Sequence, residues 1–473
     1  MTGAWPIRPL VEVSAEMSGS FSVARLDSLL AELLQGPHSP EHEFVSHGAT
    51  FAEVHVLAGR LATIFAKPQY AGTPFCLAAE EKSLIAAALL AALATGSVLL
   101  LPHSFSARAL QQMQELTGFR AAIVDGEREL PPGTECLSAP SEGGFTPLSW
   151  AGGAARRELL RLFTGGSTGA PKIWSKTAGN IFGEAFYMAH RYGIGPQDCI
   201  AATISPYHIY GLLFSVLIPL VASAKVVAET PCFPTEIVTV VEQEAATVFA
   251  SVPAHYRALR GRNTATLLRL AFSSAGMLEQ GDNEDFCLRN EVPIVEVYGS
   301  TETGGLATRN RKEGQEYFTP LEPVEWKIRE ERLYVRSPFL SPDVPGNQEG
   351  YFLSGDRVKA QGESSFSLHG RADAITKVGG ERVDLDEIRD VLQKQPGVQE
   401  CVVVPLADPG GRQNRIAALV CGQGLDLGLL KKGLAASLEP LARPRLIKKV
   451  SHIPLTKSGK YDRDAIISLL SSP

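Results

Sequence analysis

Hydrophobic positions along the chain follow two patterns, one typical of helices and one typical of buried strands. Between residues 50 and 66 they recur every three to four positions, and Thr50 and Glu53 stand at capping-box spacing, which predicts a helix. Elsewhere, short uninterrupted apolar runs predict strands that are buried on both faces. The two patterns alternate, which predicts an α/β fold with mostly parallel strands. The clearest strand patterns are AAIVD (121–125), TVFAS (247–251), RLAFS (269–273) and PIVEVY (293–298).

The most apolar segment, residues 83–101, is uncharged and nearly long enough to cross a bilayer. Glu80 and Glu81 before it suit the N-terminus of a helix, and Gly96 supplies a helix stop. Residues 98–101 then read as a short buried strand that ends at a proline. We therefore expect a buried helix followed by a strand, and no integral membrane segment.

Three of the predicted strands lead directly into loops of small residues. LLRLF (159–163) is followed by TGGSTGAPK, LRLAF (268–272) by SSAG, and IVEVY (294–298) by GSTETGG. Ligands of open α/β sheets bind beyond the carboxyl ends of the strands. The three loops are therefore expected to line one cleft.

The pattern changes after about residue 350, where a turn-rich stretch precedes a compact series of elements. That series predicts an α+β unit of about a hundred residues, a usual size for a small domain. We expect a large N-terminal domain, 1–370, and a small C-terminal domain, 374–473, with the boundary near Asp373. The predicted elements are helices at 384–395 and 427–438 and strands at 400–406, 415–422 and 445–453.

Composition narrows the class of partner. Hydrophobic residues make up 44% of the chain and the formal net charge is −6. The chain therefore lacks the excess of basic residues that favours binding to nucleic acid or to an anionic membrane. Seven cysteines lie far apart without a C-x-x-C pair, and the N-terminus lacks the features of a secretory signal. These observations favour a cytoplasmic protein with reduced thiols and small-molecule or protein partners.

The stretch FTGGSTGAPK (163–172) is a candidate phosphate-binding loop. It is not a Walker A motif, because Lys172 follows Pro171 instead of a glycine. Proline removes a backbone donor, so a phosphate would be held upstream by backbone groups and hydroxyls. A flexible surface turn is the structural alternative. The predicted nucleotide contacts here are Thr164, Gly165, Gly166, Ser167, Thr168, Gly169 and Lys172.

Six motifs in a fixed order carry a family resemblance. Together they resemble the core motifs of the adenylate-forming superfamily, which contains acyl- and aryl-CoA synthetases, adenylation domains of peptide synthetases, and luciferases. The resemblance covers residues 45–465 and implies a large α/β domain followed by a small mobile domain, with ATP and Mg²⁺ as cofactors. The motifs are LFTGGSTGAPK, SPYHIYG, VYGSTETGG, SGD, GRADAITKVGGERV and PLTKSGKYDR.

The resemblance implies catalytic roles at three positions. Lys460 in SGKYDR matches the lysine that bridges the carboxylate and the α-phosphate during adenylation. Glu302 in YGSTE would hold Mg²⁺, which commonly takes only one or two protein carboxylates, and Thr301 would contact the α-phosphate. Exposed charged side chains are the structural alternative for Lys460 and Glu302.

Further positions match the adenosine contacts of the family. Tyr298 would stack on adenine with Gly299 beside it, although a tyrosine that ends a buried strand is also a common core residue. Ala275 and Gly276 fall where the family approaches adenine with its backbone, which glycine permits.

Asp356 in SGD and Arg371 in GRAD match the two ribose contacts, with a surface ion pair as the alternative. Asp373 aligns with the hinge about which the small domain rotates after adenylation.

Three positions depart from the family pattern. Gly165 replaces a serine, Ile173 stands where a glycine usually follows Pro-Lys, and Ala374 replaces an aspartate after the hinge. None of these removes a group assigned to charge neutralisation, so we expect activity to survive with altered loop mobility.

The SPYHIYG segment indicates the class of acid. Amino-acid-activating relatives place an aspartate in this region and YHIY has none, which argues against amino acids. The segment resembles the FHIYG form of acyl- and aryl-CoA synthetases, in which His208 would gate or flank the carboxylate site. A mostly apolar pocket favours a hydrophobic or aromatic carboxylic acid. The predicted pocket residues are Tyr207, Tyr210, Phe249, Val252, Pro253 and Tyr256.

The acceptor of the acyl group stays open, because coenzyme A and a carrier protein present the same phosphopantetheine thiol. A ligase that forms an acyl-adenylate and loads a separate acyl carrier protein is one alternative. A non-catalytic nucleotide-binding regulatory relative is another, and the retained Lys460, Glu302, Asp356 and Arg371 argue against it.

Overall fold

A computed structural model of the chain divides it into two compact units. The larger unit comprises Met1–Glu325 and Arg336–Pro345, and the smaller comprises Trp326–Val335 and Gly346–Pro473. The predicted boundary near Asp373 lies outside the described residues and stays a prediction. The structure describes residues 23–139, 147–149, 152–164, 172–264, 267–372, 375–378, 381–407, 414–456 and 461–471.

The first sheet of the larger unit has six strands in the order β4-β3-β1-β2-β5-β6. All neighbours are parallel except β5 and β6, which form an antiparallel pair around the glycine-rich loop. Its strands are β1 (Phe75–Leu77), β2 (Leu99–Leu101), β3 (Ala121–Val124), β4 (Glu135–Ser138), β5 (Glu158–Thr164) and β6 (Lys172–Thr177), and the helices of this part are α1 (Val23–Gln35), α2 (Phe51–Phe65), α3 (Lys82–Thr95) and α4 (Ala107–Thr117).

The second sheet has seven strands in the order β13-β12-β11-β10-β9-β7-β8, parallel from β8 to β11 and antiparallel beyond. A π-helical turn, Leu213–Leu217, separates two short helices of this part. The elements are α5 (Ala178–Arg191), β7 (Cys199–Ala202), α6 (Ile209–Leu212), α7 (Ile218–Ala222), β8 (Lys225–Val226), α8 (Pro234–Gln243), β9 (Val248–Ser251), α9 (Pro253–Ala258), β10 (Leu270–Ser273), α10 (Gln280–Asn290), β11 (Ile294–Ser300), β12 (Gly304–Asn310) and β13 (Thr319–Pro320).

The predicted elements of the larger unit are confirmed where the hydrophobic pattern was strongest. Thr50 and Glu53 form the reciprocal capping box at the start of α2. The apolar segment 83–101 forms helix α3, which is buried as far as Leu93 and ends at left-handed Gly96, and then strand β2. Among the described residues, no helix is both long enough and apolar enough to span a membrane.

The smaller unit contains an antiparallel sheet in the order β14-β15-β16-β17, a β18–β19 hairpin and a three-stranded sheet in the order β20-β21-β22. The predicted helices and strands of residues 384–453 are present, whereas α13 was not predicted. The elements are β14 (Glu325–Arg329), β15 (Arg332–Arg336), β16 (Phe352–Gln361), β17 (Ser365–Arg371), β18 (Ile375–Val378), β19 (Glu381–Asp384), α11 (Leu385–Gln393), β20 (Glu400–Ala407), β21 (Asn414–Cys421), α12 (Leu427–Ser437), β22 (Leu446–Lys449) and α13 (Arg463–Ser471).

Candidate active site

Three predicted site segments follow neighbouring parallel strands of the second sheet. Val252 and Pro253 follow β9, Ala275 and Gly276 come shortly after β10, and residues 301–302 follow β11. Parallel strands end at the same edge of a sheet, which is where α/β proteins bind ligands. Of the three loops expected to line one cleft, those after β10 and β11 therefore lie at the same edge of the second sheet. The glycine-rich loop follows β5, which belongs to the first sheet.

The two ends of the glycine-rich loop are paired. Thr164 and Lys172 are partners in the β5–β6 ladder, and the Thr164 hydroxyl lies 3.4 Å from the Lys172 carbonyl oxygen. The Lys172 side chain is exposed. The residues predicted to grip phosphate between them, Gly165, Gly166, Ser167, Thr168 and Gly169, lie outside the described residues.

Glu302 lies in a tight turn that joins β11 to the antiparallel strand β12. The Ser300 amide donates to the Thr303 hydroxyl at 2.9 Å, and the two hydroxyls are 2.9 Å apart. Gly304 has a φ of +65°, a conformation that favours glycine. These contacts hold the backbone of Thr301 and Glu302 in one geometry and leave both side chains partly exposed.

Two buried charged side chains contact this turn from within the protein. The Lys176 ammonium on β6 donates to the carbonyl oxygens of Phe339 at 2.8 Å and Glu302 at 3.3 Å. The Glu302 carbonyl oxygen also accepts the Ser341 amide at 2.8 Å. On α5, the Glu184 carboxylate accepts the Gly305 amide at 2.8 Å. The backbone on both sides of the turn is therefore bound to a buried charge.

Burial shifts the pKa values of both charged groups. It lowers the pKa of Lys176 to about 8, and the negative charges of Glu184, Glu302 and Asp343 act in the opposite direction. Burial raises the pKa of Glu184, opposed by the Lys176 charge and the Gly305 amide. Each charge partly offsets the cost of burying the other.

The Glu302 carboxylate is suited to bind a magnesium ion. In the part of the chain that the structure describes, neither a hydrogen bond nor an ion pair engages its oxygens. Mg²⁺ is commonly held by one or two carboxylates, with substrate phosphates and water completing its shell. A carboxylate with unoccupied oxygens on a fixed turn fits that requirement.

The predicted adenine contacts lie close to this turn in the sheet. Tyr298 is half-buried on β11, with its ring centroid 5.8 Å from that of Phe318. Ala275 and Gly276 are exposed, and the preceding Ser274 hydroxyl donates to the Val297 carbonyl at 2.8 Å. Ala275 has a φ of +69°, in the left-handed region. The loop after β10 is thereby tied to β11, and adenine binding by these residues stays a prediction.

The SPYHIYG segment comprises a turn, residues 205–208, and the first three residues of α6. A Cβ atom on Gly211 would lie 2.0 Å from the Ser205 carbonyl oxygen, so only glycine fits there. His208 is the half-buried N-cap residue of α6. The Tyr207 hydroxyl is bonded to both the amide and the carbonyl of Ala79, and its ring packs edge-on against Phe105. Tyr207 can therefore offer a substrate its ring but not its hydroxyl.

Two residues of the predicted pocket belong to the core instead. Phe249 and Tyr256 are at most 1% exposed and pack with Phe286 between the second sheet and its helices. The Tyr256 hydroxyl donates to the Phe272 carbonyl at 2.7 Å. Their burial argues against a place for these two in the acid pocket. Val252 and Tyr210 are also buried, at 1% and 7% exposure, whereas Pro253 is half-buried and approaches Gly276.

The two predicted ribose contacts lie side by side on neighbouring strands of the smaller unit. Asp356 on β16 and Arg371 on β17 are direct partners in the antiparallel ladder. A pair that is adjacent in register is consistent with a shared ligand, and their ribose role stays a prediction. Lys460 and Asp373 lie outside the described residues.

Comparison with known protein families shows two matches along the chain. Residues 35–353 match the model of the AMP-binding enzymes, and residues 387–460 match the AMP-binding enzyme C-terminal domain. The chain belongs to the AMP-binding enzyme family. The predicted resemblance to adenylate-forming enzymes is thereby confirmed.

Relatives of this AMP-binding enzyme include acid ligases and a peptide synthase. A "4-coumarate--CoA ligase" of Rhodobacter capsulatus is 27% identical, covering 65% of this chain and 76% of the relative. A "2-succinylbenzoate--CoA ligase" of Listeria innocua is 26% identical, covering 64% and 68%. A "Dimodular nonribosomal peptide synthase" of Bacillus subtilis is 25% identical over 64% of this chain but only 14% of its own length.

Solved structures confirm the fold. ATP-bound MatB from Rhodopseudomonas palustris superposes with a TM-score of 0.78 at 19% identity, covering 94% of this chain and 98% of that one. A benzoate CoA ligase from Burkholderia xenovorans gives a TM-score of 0.76 at 22% identity, covering 93% and 99%. The predicted α/β fold with a large N-terminal and a smaller C-terminal part is that of these proteins.

Sequence reasoning missed the two buried charges of this AMP-binding enzyme. A signal was present for Glu184 alone. It stands three residues after Ile181 and four before Met188, which places it on the buried face of α5. A charged residue at a core position needs a partner, and that requirement could have identified it. Lys176 lies in the mostly polar strand KIWSKT, whose sequence does not indicate that this lysine is buried.

Proposed function

We propose that the protein is an AMP-forming acid–thiol ligase that adenylates a hydrophobic or aromatic carboxylic acid and transfers the acyl group to the thiol of coenzyme A. One observation carries the proposal. Glu302 stands on a rigid turn at the carboxyl end of a parallel strand, in a chain that matches the AMP-binding enzymes over residues 35–353. Family membership supports ATP as the nucleotide.

The chemistry explains why such a site is needed. A carboxylate does not acylate a thiol, because its leaving group is poor and its charge repels nucleophiles. Attack of a carboxylate oxygen on the α-phosphorus of ATP releases pyrophosphate and gives an acyl-adenylate. Attack of the thiol sulfur on the acyl carbon then expels AMP, and the thiol proton is lost to solvent. The first step brings two anions together, so preorganised cations are required.

Three residues of this chain are assigned to that electrostatic work. Glu302 would hold the magnesium ion, which supplies charge neutralisation at the phosphates when bound. Thr301 would hydrogen bond to the α-phosphate. Lys460 would bridge the carboxylate and the α-phosphate.

The choice of acid rests on the residues near the carboxyl ends of β9 and β10. The side chains predicted there are aromatic or aliphatic: Tyr210 and Val252 are buried and Pro253 is half-buried. The Tyr207 hydroxyl is already bonded to Ala79. An apolar or aromatic acid suits such a lining better than a charged one. His208, half-buried at the start of α6, would flank the carboxylate.

Exchange of radiolabelled pyrophosphate into ATP, tested over a panel of aryl and fatty acids, measures adenylation directly. We expect exchange to depend on an aromatic or hydrophobic acid and to be lost in Lys460→Ala. Thioester formation from a supplied acyl-adenylate should persist in that variant. Exchange that is absent with every acid, from a folded protein that binds ATP, would favour a non-catalytic nucleotide-binding role.

The acceptor is decided by a direct comparison. Coenzyme A and a phosphopantetheinylated carrier protein are each supplied to the adenylate-loaded enzyme, and thioester formation is measured. Formation with coenzyme A supports the proposal. Formation with the carrier protein alone would replace it with an acyl-adenylate ligase that loads a carrier.

A further inference from the structure

The turn that carries Glu302 is bound from inside the protein by two charged side chains with no assigned role. We propose that Lys176, together with Glu184, is a positioning residue that fixes the Glu302 turn for binding magnesium-bound ATP. The proposal rests on the proposed function, because it assumes that Glu302 is the magnesium ligand. Lys176 itself would touch neither the metal nor the substrate.

Lys176 connects two predicted phosphate-binding segments. It lies on β6, four residues after Lys172, where the strand leaves the glycine-rich loop. Its ammonium donates to the Glu302 carbonyl oxygen at 3.3 Å and to the Phe339 carbonyl oxygen at 2.8 Å. The Glu302 carbonyl carbon is bonded to the α-carbon that bears its side chain. A bond to this carbonyl therefore limits where the carboxylate can point.

The segment that contains Phe339 strengthens the same connection. The Ser341 amide donates to the Glu302 carbonyl oxygen at 2.8 Å, and the Asp343 carboxylate accepts the Ser175 amide at 2.6 Å. Residues 339–343 thus bind β6 on one side and the Glu302 turn on the other. Lys176 lies between them and is 1% exposed.

Glu184 holds the other end of the turn. Its carboxylate accepts the Gly305 amide at 2.8 Å, and a Cβ atom on Gly304 would lie 2.6 Å from the Glu184 Oε2 atom. The carboxylate therefore packs directly against the glycine backbone. Buried charges are weak evidence for stability, since apolar side chains of similar size often stabilise a core as well or better. The presence of Lys176 and Glu184 is better explained by the backbone groups that they bind, which are the Glu302 and Phe339 carbonyls and the Gly305 amide.

The chain offers a closely matched control in Lys82. This lysine is 2% exposed, and its ammonium donates to the Val227 and Glu229 carbonyls at 2.6 and 2.9 Å. Burial lowers the pKa of Lys82 to about 8, as it does for Lys176. Neither of its acceptors is a predicted site residue. Lys82→Met therefore removes the same kind of contact without touching the Glu302 turn.

The experiment measures ATP binding by calorimetry while the magnesium concentration is varied, with AMP binding in the absence of magnesium as the reference. In Lys176→Met we expect the half-saturating magnesium concentration to rise about tenfold, the size expected from losing a charge-assisted hydrogen bond. AMP affinity should be unchanged. Lys82→Met should leave the magnesium dependence at its wild-type value. Acid-dependent pyrophosphate exchange should fall in Lys176→Met, with thioester formation from supplied acyl-adenylate retained.

The contrary results are distinct. An unchanged magnesium dependence in Lys176→Met, an equal shift in Lys82→Met, or wild-type ATP binding that is independent of magnesium would each overturn the proposal. If Lys176→Met does not fold, the same measurement is made on the double variant Lys176→Met with Glu184→Gln. This variant removes both buried charges at the Glu302 turn, so neither is left without the other. Wild-type protein that binds ATP but shows no exchange with any acid would contradict the proposed function, while the binding measurement still decides the role of Lys176.

Discussion

The α-carbon of Gly299 faces the carbonyl oxygen of Gly304 so closely that a Cβ atom on Gly299 would lie 2.2 Å from it. The ladder between β11 and β12 shifts its register at this point, between Tyr298 and Gly299. The backbone of one strand therefore occupies the space that a side chain would need on the other. This contact sets the geometry of the turn that presents Thr301 and Glu302.

Gly299→Ala is expected to disturb the turn and with it the magnesium-dependent step. Relieving the overlap requires the two strands to separate, and overpacking of this kind costs about 1–3 kcal/mol. We expect a lower free energy of unfolding in urea and a large loss of acid-dependent pyrophosphate exchange. Gly126→Ala is the control, because a Cβ atom there meets no atom within 4 Å. Equal stability and exchange in the two variants would show that the turn tolerates a side chain at 299.

Asp356→Asn is expected to weaken recognition of the ribose hydroxyls. If the Asp356 carboxylate accepts them, the wild type should bind ATP roughly tenfold or more tightly than 2′-deoxy-ATP, since hydrogen bonds to charged groups contribute about 1.5–3 kcal/mol. In Asp356→Asn that preference should shrink, as measured by calorimetry with both nucleotides.

Glu363→Gln, in the exposed turn between β16 and β17, is the control for this change. It should keep the wild-type preference for ATP. A wild-type preference that persists in Asp356→Asn would assign the ribose contact to another residue.

Tyr207→Phe is expected to lower stability more than it alters the affinity for the acid. The substitution leaves the buried amide and carbonyl of Ala79 without their hydroxyl partner, which costs about 1–3 kcal/mol. Its ring remains, so the KM for the acid should stay near the wild-type value. Tyr256→Phe, which loses one core hydrogen bond to Phe272, is the matched control. A raised KM with unchanged stability would mean that the Tyr207 hydroxyl contacts the substrate.

Local patterns were sufficient to predict the elements and their order. The capping box of α2 and the helix–strand sequence of residues 82–101 follow from short-range rules that hold wherever the segment lies. The adenylate-forming motifs identified the family for the same reason, because each motif is contiguous in sequence.

Positions that depend on distant contacts were not predictable in this way. Phe249 was assigned to the pocket because the candidates in VFASVPAHY are mostly apolar or aromatic, and such a composition does not reveal which face of the strand is covered by helices. Lys176 lies more than a hundred residues before its acceptor Glu302. Its role depends on how the β11–β12 turn meets β6, which no local pattern records.

His55 provides a prediction about acid stability that is independent of the site. It is 2% exposed on α2, and burial lowers its pKa from 6.5 to about 4. Between these pH values the unfolded chain binds a proton that the folded chain does not, so the stability present above pH 6.5 is lost as the pH falls toward 4, by at most about 3 kcal/mol. Urea unfolding of the wild type and His55→Gln across this range should show a smaller pH dependence in the variant, whereas His452→Gln, at an exposed position, should match the wild type. Parallel losses in all three proteins would place the acid-sensitive proton elsewhere.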